Sequence, residues 1–408
     1  MAEAARVLEE ANPEQVGFSR DRLNRITDEL RREVDQGLLP GATLLIARHG
    51  KIAYFEAVGF RDKAAQAPMT KDTIFRIFSM SKPVTSVAAM TLVEQGKLYL
   101  EYPIAAYIPQ FTQVKVAVPR PDPSSLMPPA FDMLPPARPP TVQDLLRHTA
   151  GLTYGFFESP VGKLYRDANL YAGDFTTAEF VERLTAQPLA YQPGAGWNYS
   201  HATDVLGRVV EVASGKSLFQ WEKEQIVDPL GMSDTSFFVA DKAKHGRIAE
   251  AAAPDNQFAG VPLYDPRVPI KSEMGGQGMQ STAIDYARFL QMLLNGGVYN
   301  DNLVLSPETV AYMTADHLGL IGPGPTMYFP GSGHGFGLGF AVRRAQGEAV
   351  HAGSVGNFHW SGAAGTSFWC DPKRDFFAVF MTQAPMQLFR LTSLLPNMVY
   401  AALTEPEK

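Results

Sequence analysis

Only one cysteine, Cys370, occurs in the 408 residues. A single thiol closes no internal disulfide and builds no multi-cysteine metal site. It sits in a strand-like run, where a buried position is expected. No G-x-S-x-G pentapeptide is present. Gly353-Ser354-Val355-Gly356 comes nearest, but position 352 is alanine, so the nucleophile elbow of the α/β-hydrolase fold is excluded. The glycine-rich stretch 331–339 is followed by no G-K-S/T and is not a phosphate loop. No pair of histidines has metal-ligand spacing with acids nearby, so neither a metal nor another cofactor is expected. No apolar run is long enough to span a bilayer. Met1 to Glu10 lacks the apolar core of a secretory leader, and a cytoplasmic location is expected. Basic runs are absent and the formal net charge is −6, which argues against nucleic acid as a partner.

What remains is ordinary for a globular enzyme. The chain is 45% hydrophobic and 19% charged, and long enough for one large domain or two intimate ones. Residues 20–36 read as a surface helix capped by Ser19. Residues 42–48 and 52–58 read as strands paired about the His49-Gly50-Lys51 turn. Residues 144–147, 177–185, 203–213 and 283–294 read as helices, 337–343, 365–370 and 376–382 as strands, and 388–403 as a closing helix. Strands at both ends with helices between them imply an α+β fold, one antiparallel sheet built from the two ends of the chain with a helical insert. The proline-dense stretch 119–140 is expected to be a long connection or flap, since proline suits neither a helix interior nor a central strand.

Arg76-Ile77-Phe78-Ser79-Met80-Ser81-Lys82-Pro83 sets a serine and a lysine three residues apart at a helix start. Residues at that spacing share a helical face. A lysine that is partly desolvated can take a serine proton, and free N–H groups at a helix start favour the developing anion. Read without company, the same quartet is an ordinary capping serine beside a solvated lysine. Two other segments supply company. Gly194 to His201 is a glycine-rich turn running through Tyr199 into a helix, and a tyrosine at such a corner can serve as general acid or base. His359-Trp360-Ser361-Gly362-Ala363-Ala364-Gly365 places small residues in a strand-like run, as where a backbone must approach a ligand.

These three elements in this order resemble the serine β-lactamase and penicillin-binding-protein superfamily, above all its family VIII carboxylesterases and the class C β-lactamases. The resemblance runs through Gly41 to Gly50, Leu145 to Leu152, Asp228 to Met232 and Gly275 to Met279. It implies that Ser79 and Lys82 are the S-x-x-K pair, that Tyr199 is the conserved tyrosine, and that Trp360-Ser361-Gly362 stands for K-T-G. It also implies a serine β-lactamase-like fold. Residues 1–78 and 230–408 would form an α/β domain and 79–229 a mainly helical domain, with the active site between them. Two departures matter. Trp360 replaces the lysine of K-T-G, and His201 replaces the asparagine two after the tyrosine. Both point away from a carboxylate-bearing β-lactam and toward a neutral small-molecule ester.

The resemblance therefore implies a serine carboxylesterase for small or medium acyl esters, with acyl transfer to alcohols as a possible outcome. The alternative is a β-lactamase or D-alanyl-peptidase-like hydrolase of weak activity. Ser79 is the expected nucleophile, and Lys82 and Tyr199 share the proton work, with the formal base left open between them. Backbone N–H groups of Ser79 and Ala363 are the expected oxyanion hole. Trp360, Gly362 and His201 are the expected substrate contacts. His148, in a helix-end turn, reads as structural, and His334, His351 and His359 as rim residues.

Overall fold

The computed structural model describes residues 8–120, 131–170, 175–258, 261–324 and 326–405. Its centre is a nine-stranded sheet. In chain order the strands are β1 (Glu9–Glu10), β2 (Gly41–Arg48), β3 (Lys51–Asp62), β4 (Ala67–Pro68), β5 (His334–Phe336), β6 (Ala341–Arg343), β7 (Phe358–Ser361), β8 (Ser367–Asp371) and β9 (Phe376–Thr382). They lie side by side as β1-β3-β2-β9-β8-β7-β6-β5, with β4 paired to β3. The two ends of the chain meet where β2 pairs antiparallel with β9, Ala42 opposite Thr382 and Arg48 opposite Phe376. The short β1 runs parallel to β3, so the sheet is not antiparallel throughout. The β2–β3 turn rests on His49 at φ 55° and Gly50 at φ 73°, the left-handed pair that a tight hairpin requires.

Strand β9 is buried along its whole length, and its alternation divides the interior in two. Phe376, Ala378 and Phe380 face the smaller core, together with Leu44 and Ile46 of β2. That core is closed by the helices α1 (Arg20–Asp35) and α6 (Leu388–Ala402). Ser19 caps α1, its side chain accepting from the Arg22 N–H, as expected. Phe377, Val379 and Met381 face the larger core. That core also receives α2 (Ser81–Glu94), α3 (Val142–Leu146), α4 (Ala202–Ser214) and α5 (Ala283–Leu294). Each fully buried apolar side chain contributes roughly 1.5–3 kcal/mol of transfer free energy. Helix α2 is buried from Ser81 through Leu92. A helix without a solvent face is a central one, and it carries Lys82 into the interior. Gly96, at φ 66°, follows its end. Cys370 lies buried in β8, as expected.

Two expectations need correction. Residues 337–343 are not one strand. Gly339 takes φ 101°, and the run becomes a hairpin turn between β5 and β6. The proline-dense stretch is not irregular at its flanks, because Val116–Pro119 pairs antiparallel with Phe131–Leu134. Residues 121–130 lie outside the described residues.

Candidate active site

Phe75–Arg76 pairs with Gln280–Ser281, and a single 3-10 turn, Phe78–Met80, then leads into α2. Phe78 takes φ 44°, a conformation costly for a bulky residue and typical of over-determined functional turns. Several bonds hold this turn. Ser81 Oγ donates to the Phe78 carbonyl at 2.6 Å, the Met279 N–H donates to Ser81 Oγ at 3.1 Å, and Tyr286 Oη donates to the Met80 carbonyl at 2.9 Å. Ser79 sits in the middle of it.

The structure brings the three expected reactive side chains together. Lys82 Nζ lies 3.1 Å from Ser79 Oγ. Tyr199 Oη lies 2.6 Å from the same oxygen. Lys82 is 1% exposed, and its ammonium stands 4.6 Å from the Tyr199 ring centre. Two further partners of Lys82 were not foreseen: Tyr154 Oη at 3.1 Å and the Gly276 carbonyl at 2.7 Å. Among the described residues no carboxylate lies within ion-pair distance of Lys82.

Tyr199 is fixed by its surroundings. It precedes α4 in an extended segment whose Asn198 N–H donates to the His148 carbonyl and whose Asn198 Nδ2 donates to the Leu152 carbonyl. Its ring packs beside Trp197, His148, Phe329 and Trp360. His148 is buried, bonded through Nδ1 to Ser200 Oγ. Burial, reinforced by the charge of Lys82, holds its imidazole well below the usual histidine range. It is a neutral wedge under Tyr199, the structural role expected of it.

Ser79 and Tyr199 open onto a cavity of about 350 Å³. Phe78, Tyr154, Phe156, Phe258 and Phe329 make its walls aromatic, and Trp360 and Ala363 line it too. No Lys, Arg, Asp or Glu among the described residues lines it. The cavity passes round the end of β7. Trp360 faces the larger core, while His359 and its cross-strand neighbour Trp369 lie on the opposite face, and all three line the cavity. Trp360 Nε1, Trp369 Nε1 and His359 Nε2 are buried without a hydrogen-bond partner among the described residues. Burial holds His359 well below the usual histidine range, so it too is neutral. His351 lines the cavity, whereas His334 stands behind it, its ring 4.9 Å from that of His359.

Two expected substrate contacts are placed elsewhere. His201 is 0% exposed and does not line the cavity. Its Nδ1 lies 2.7 Å from Asp204 Oδ2, because it occupies the cap position of α4 and turns inward. Gly362 does not line the cavity either. Its N–H donates to the Thr366 carbonyl, and a Cβ there would stand 2.1 Å from the Ile77 carbonyl oxygen. Gly362 therefore lets the end of β7 lie against the segment that carries the nucleophile. Ser354 is buried, with its Oγ accepting from Arg374 Nε.

A family model described as Beta-lactamase matches residues 26–397. The chain belongs to that family. Its curated relatives include the esterase EstB of Burkholderia gladioli, 32% identical over 93% of this chain and 95% of EstB. The lovastatin esterase of Penicillium rubens is 30% identical over 70% of this chain and 71% of that enzyme. Among solved structures, EstCE1, a hydrolase with promiscuous acyltransferase activity, superposes with a TM-score of 0.74. It is 27% identical and covers 94% of this chain and 98% of its own. The chain is a serine hydrolase with a β-lactamase-like α+β fold. No helix among the described residues is long and apolar enough to cross a membrane.

Proposed function

We propose that this protein is a serine carboxylesterase that works through an acyl-enzyme on Ser79. One observation carries the reading: Ser79 Oγ is bracketed by Lys82 Nζ and Tyr199 Oη at a cavity that no Lys, Arg, Asp or Glu among the described residues lines. The Ser79 proton passes to Lys82 or Tyr199 as Oγ attacks the ester carbonyl carbon. The oxyanion rests on the backbone N–H groups of Ser79 and Ala363. Both residues line the cavity, and the Ala363 N–H donates to no backbone carbonyl among the described residues. Such donors contribute on the order of 3 kcal/mol each. The C–O bond breaks, Tyr199 returns a proton to the leaving alcohol, and water or a second alcohol takes the acyl group from Ser79. Transfer to an alcohol is supported by the acyltransferase activity of EstCE1.

The substrate is a neutral ester of small or medium acyl length. Trp360 supports this, since it offers an apolar face and one N–H where the lactamases present a cation. We also propose the division into an α/β part, 1–78 and 230–408, and a mainly helical part, 79–229, with the site between them. Sheet strands drawn from 9–68 and 334–382 support it. The cytoplasm is the proposed compartment.

A chromogenic short-chain ester and a chromogenic cephalosporin, assayed side by side on wild type and Ser79→Ala, test this reading. The ester should be turned over far better than the cephalosporin. Ser79→Ala should lose roughly 10⁴-fold or more of it. A fluorophosphonate should add its mass to the peptide carrying Ser79. A label on Ser354 or Ser361, or a Ser79→Ala variant with near-normal turnover, overturns the assignment.

A further inference from the structure

We infer that Asp204 and His201 are positioning residues for Lys82, acting through the Gly275–Gly276 peptide. The inference rests on Lys82 being a proton carrier. Of the three partners of Lys82 Nζ, only the Gly276 carbonyl, at 2.7 Å, can neither give nor take a proton. It fixes where the amine stands, while Ser79 and Tyr154 remain proton-exchanging neighbours.

A glycine carbonyl is a poor anchor unless the chain around it is held, because glycine rotates freely. Here it is held on both sides of the Gly276 Cα: the Gln277 N–H, in the same peptide unit as the Gly276 carbonyl, donates to the Met274 carbonyl at 3.0 Å, and the preceding peptide unit is held as well. The Gly276 N–H donates to Asp204 Oδ1 at 2.8 Å. The carbonyl of the same peptide unit, that of Gly275, lies 2.9 Å from Thr85 Oγ1. The approach is too close for a side chain. A Cβ on Gly276 would stand 2.6 Å from Asp204 Oδ1, and one on Gly275 would stand 2.9 Å from Thr85 Cγ2.

Asp204 is itself oriented. It is 0% exposed, and its second oxygen accepts a hydrogen bond from His201 Nδ1 at 2.7 Å. Burial, partly offset by Asp204, lowers the His201 imidazole below the usual range, so the ring is a neutral donor. Its place is set by Tyr154 and Phe180, whose ring centres lie 4.4 and 5.4 Å away.

On the far side, Thr85 Oγ1 also lies 2.9 Å from Glu222 Oε1. A hydroxyl has one hydrogen to give. Burial pushes the Glu222 carboxyl well above the usual range, which favours its protonated form; in that form it donates to Thr85 and leaves the Thr85 hydrogen for the Gly275 carbonyl. Two carboxyl groups therefore brace one peptide unit, and neither touches Lys82. The lysine gains a fixed position with no salt bridge among the described residues.

The test uses Asp204→Leu and Asp204→Asn in the full chain, with a neutral chromogenic ester and a fluorophosphonate. In Asp204→Leu, kcat and the rate of Ser79 labelling should fall together by roughly 10²-fold, the cost of misplacing a reacting group by about 1 Å, while KM stays within about threefold. Asp204→Asn keeps an acceptor for the Gly276 N–H and should recover most of both rates. A folded Asp204→Leu that labels at the wild-type rate, or one in which KM carries the whole loss, overturns the inference. So does Asp204→Asn falling as far as Asp204→Leu. If Asp204→Leu does not fold, His201→Leu is read in its place, and an unchanged labelling rate there is equally decisive. Wild-type labelling at Ser79 is the control. Its failure would remove the esterase reading and this inference with it, whereas normal wild-type labelling with unaffected variants removes this inference alone.

Discussion

Lys82 and Asp144 are both buried ionisable groups, 1% and 0% exposed, and the fold treats them in opposite ways. Asp144 is surrounded by opposite charge and hydroxyls. Arg138 and Arg147 pair with it, Thr149 Oγ1 donates at 2.7 Å, and the Thr141 N–H donates at 3.0 Å. Lys82 has a carbonyl, a phenol and the serine, but no carboxylate among the described residues. A buried charge paired by full counter-charges keeps its proton state and holds structure together. A buried amine held by neutral groups is placed by hydrogen bonds alone. The contrast separates structural ionisation from chemical ionisation within one helical layer, and it can be broken from either side.

The largest effect belongs to the chemical side. Lys82→Met and Tyr199→Phe should each lower kcat for a neutral ester by roughly 10² or more, the scale of acid–base catalysis. The double variant should lose little beyond the worse single one, since the two act on one oxygen as a unit. Unfolding curves of the single variants should change far less than their rates. Losses that multiply in the double variant would mean that each residue works alone.

A middle-sized effect tests what it means that no cation among the described residues lines the cavity. Trp360 is 4% exposed and packs 5.3 Å from the Tyr199 ring centre. Trp360→Lys should raise the ratio of cephalosporin to ester kcat/KM by roughly one to two decades, because a charge-assisted contact to a carboxylate is worth about 1.5–3 kcal/mol. The buried His201 leaves the gain at the lower end, since no asparagine is restored beside the lysine. An unchanged ratio would shift the discrimination from Trp360 to the aromatic walls.

The chemical side of the contrast was legible in the sequence wherever it was local. Ser79 and Lys82 are one helical turn apart, and periodicity alone places them together. Strand β9 and helices α5 and α6 were readable for the same reason. Partners contributed by distant segments were not. Tyr154 and Gly276 lie 72 and 194 residues from Lys82, and only folding brings them to it. No sequence feature singled out Tyr154, whose ring shares the buried layer with Tyr199. His201 misled for the opposite reason. Nearness to Tyr199 in sequence suggested a shared target, but the helix begins at Ala202 and the ring turns away. Gly362 misled similarly, because its glycine answers a close approach to Ile77 and not to a ligand.

The smallest effect comes from the structural side, and pH gives it a sign. Burial alone would raise the Asp144 carboxyl, but Arg138, Thr149 and the Thr141 backbone together bring it from 3.8 down to about 2. A carboxyl whose pKa is depressed in the folded state stabilises the fold above its unfolded pKa and loses that stabilisation as pH falls through the folded one. The shift corresponds to about 2 kcal/mol. Asp144→Asn should therefore cost about that much stability at pH 7 while leaving kcat per folded molecule near wild type, because Asp144 touches neither Ser79 nor the cavity. Denaturant unfolding at stepped pH reads the rest. The gap between wild type and variant should be flat from neutral pH down to about 4 and should close between about 4 and 2. A gap that stays open at pH 2 would mean that the stabilisation does not come from the depressed carboxyl, whereas a loss of kcat that matches the loss of stability would mean that Asp144 is coupled to the chemistry, and that the two ways of burying a charge are not separate in this fold.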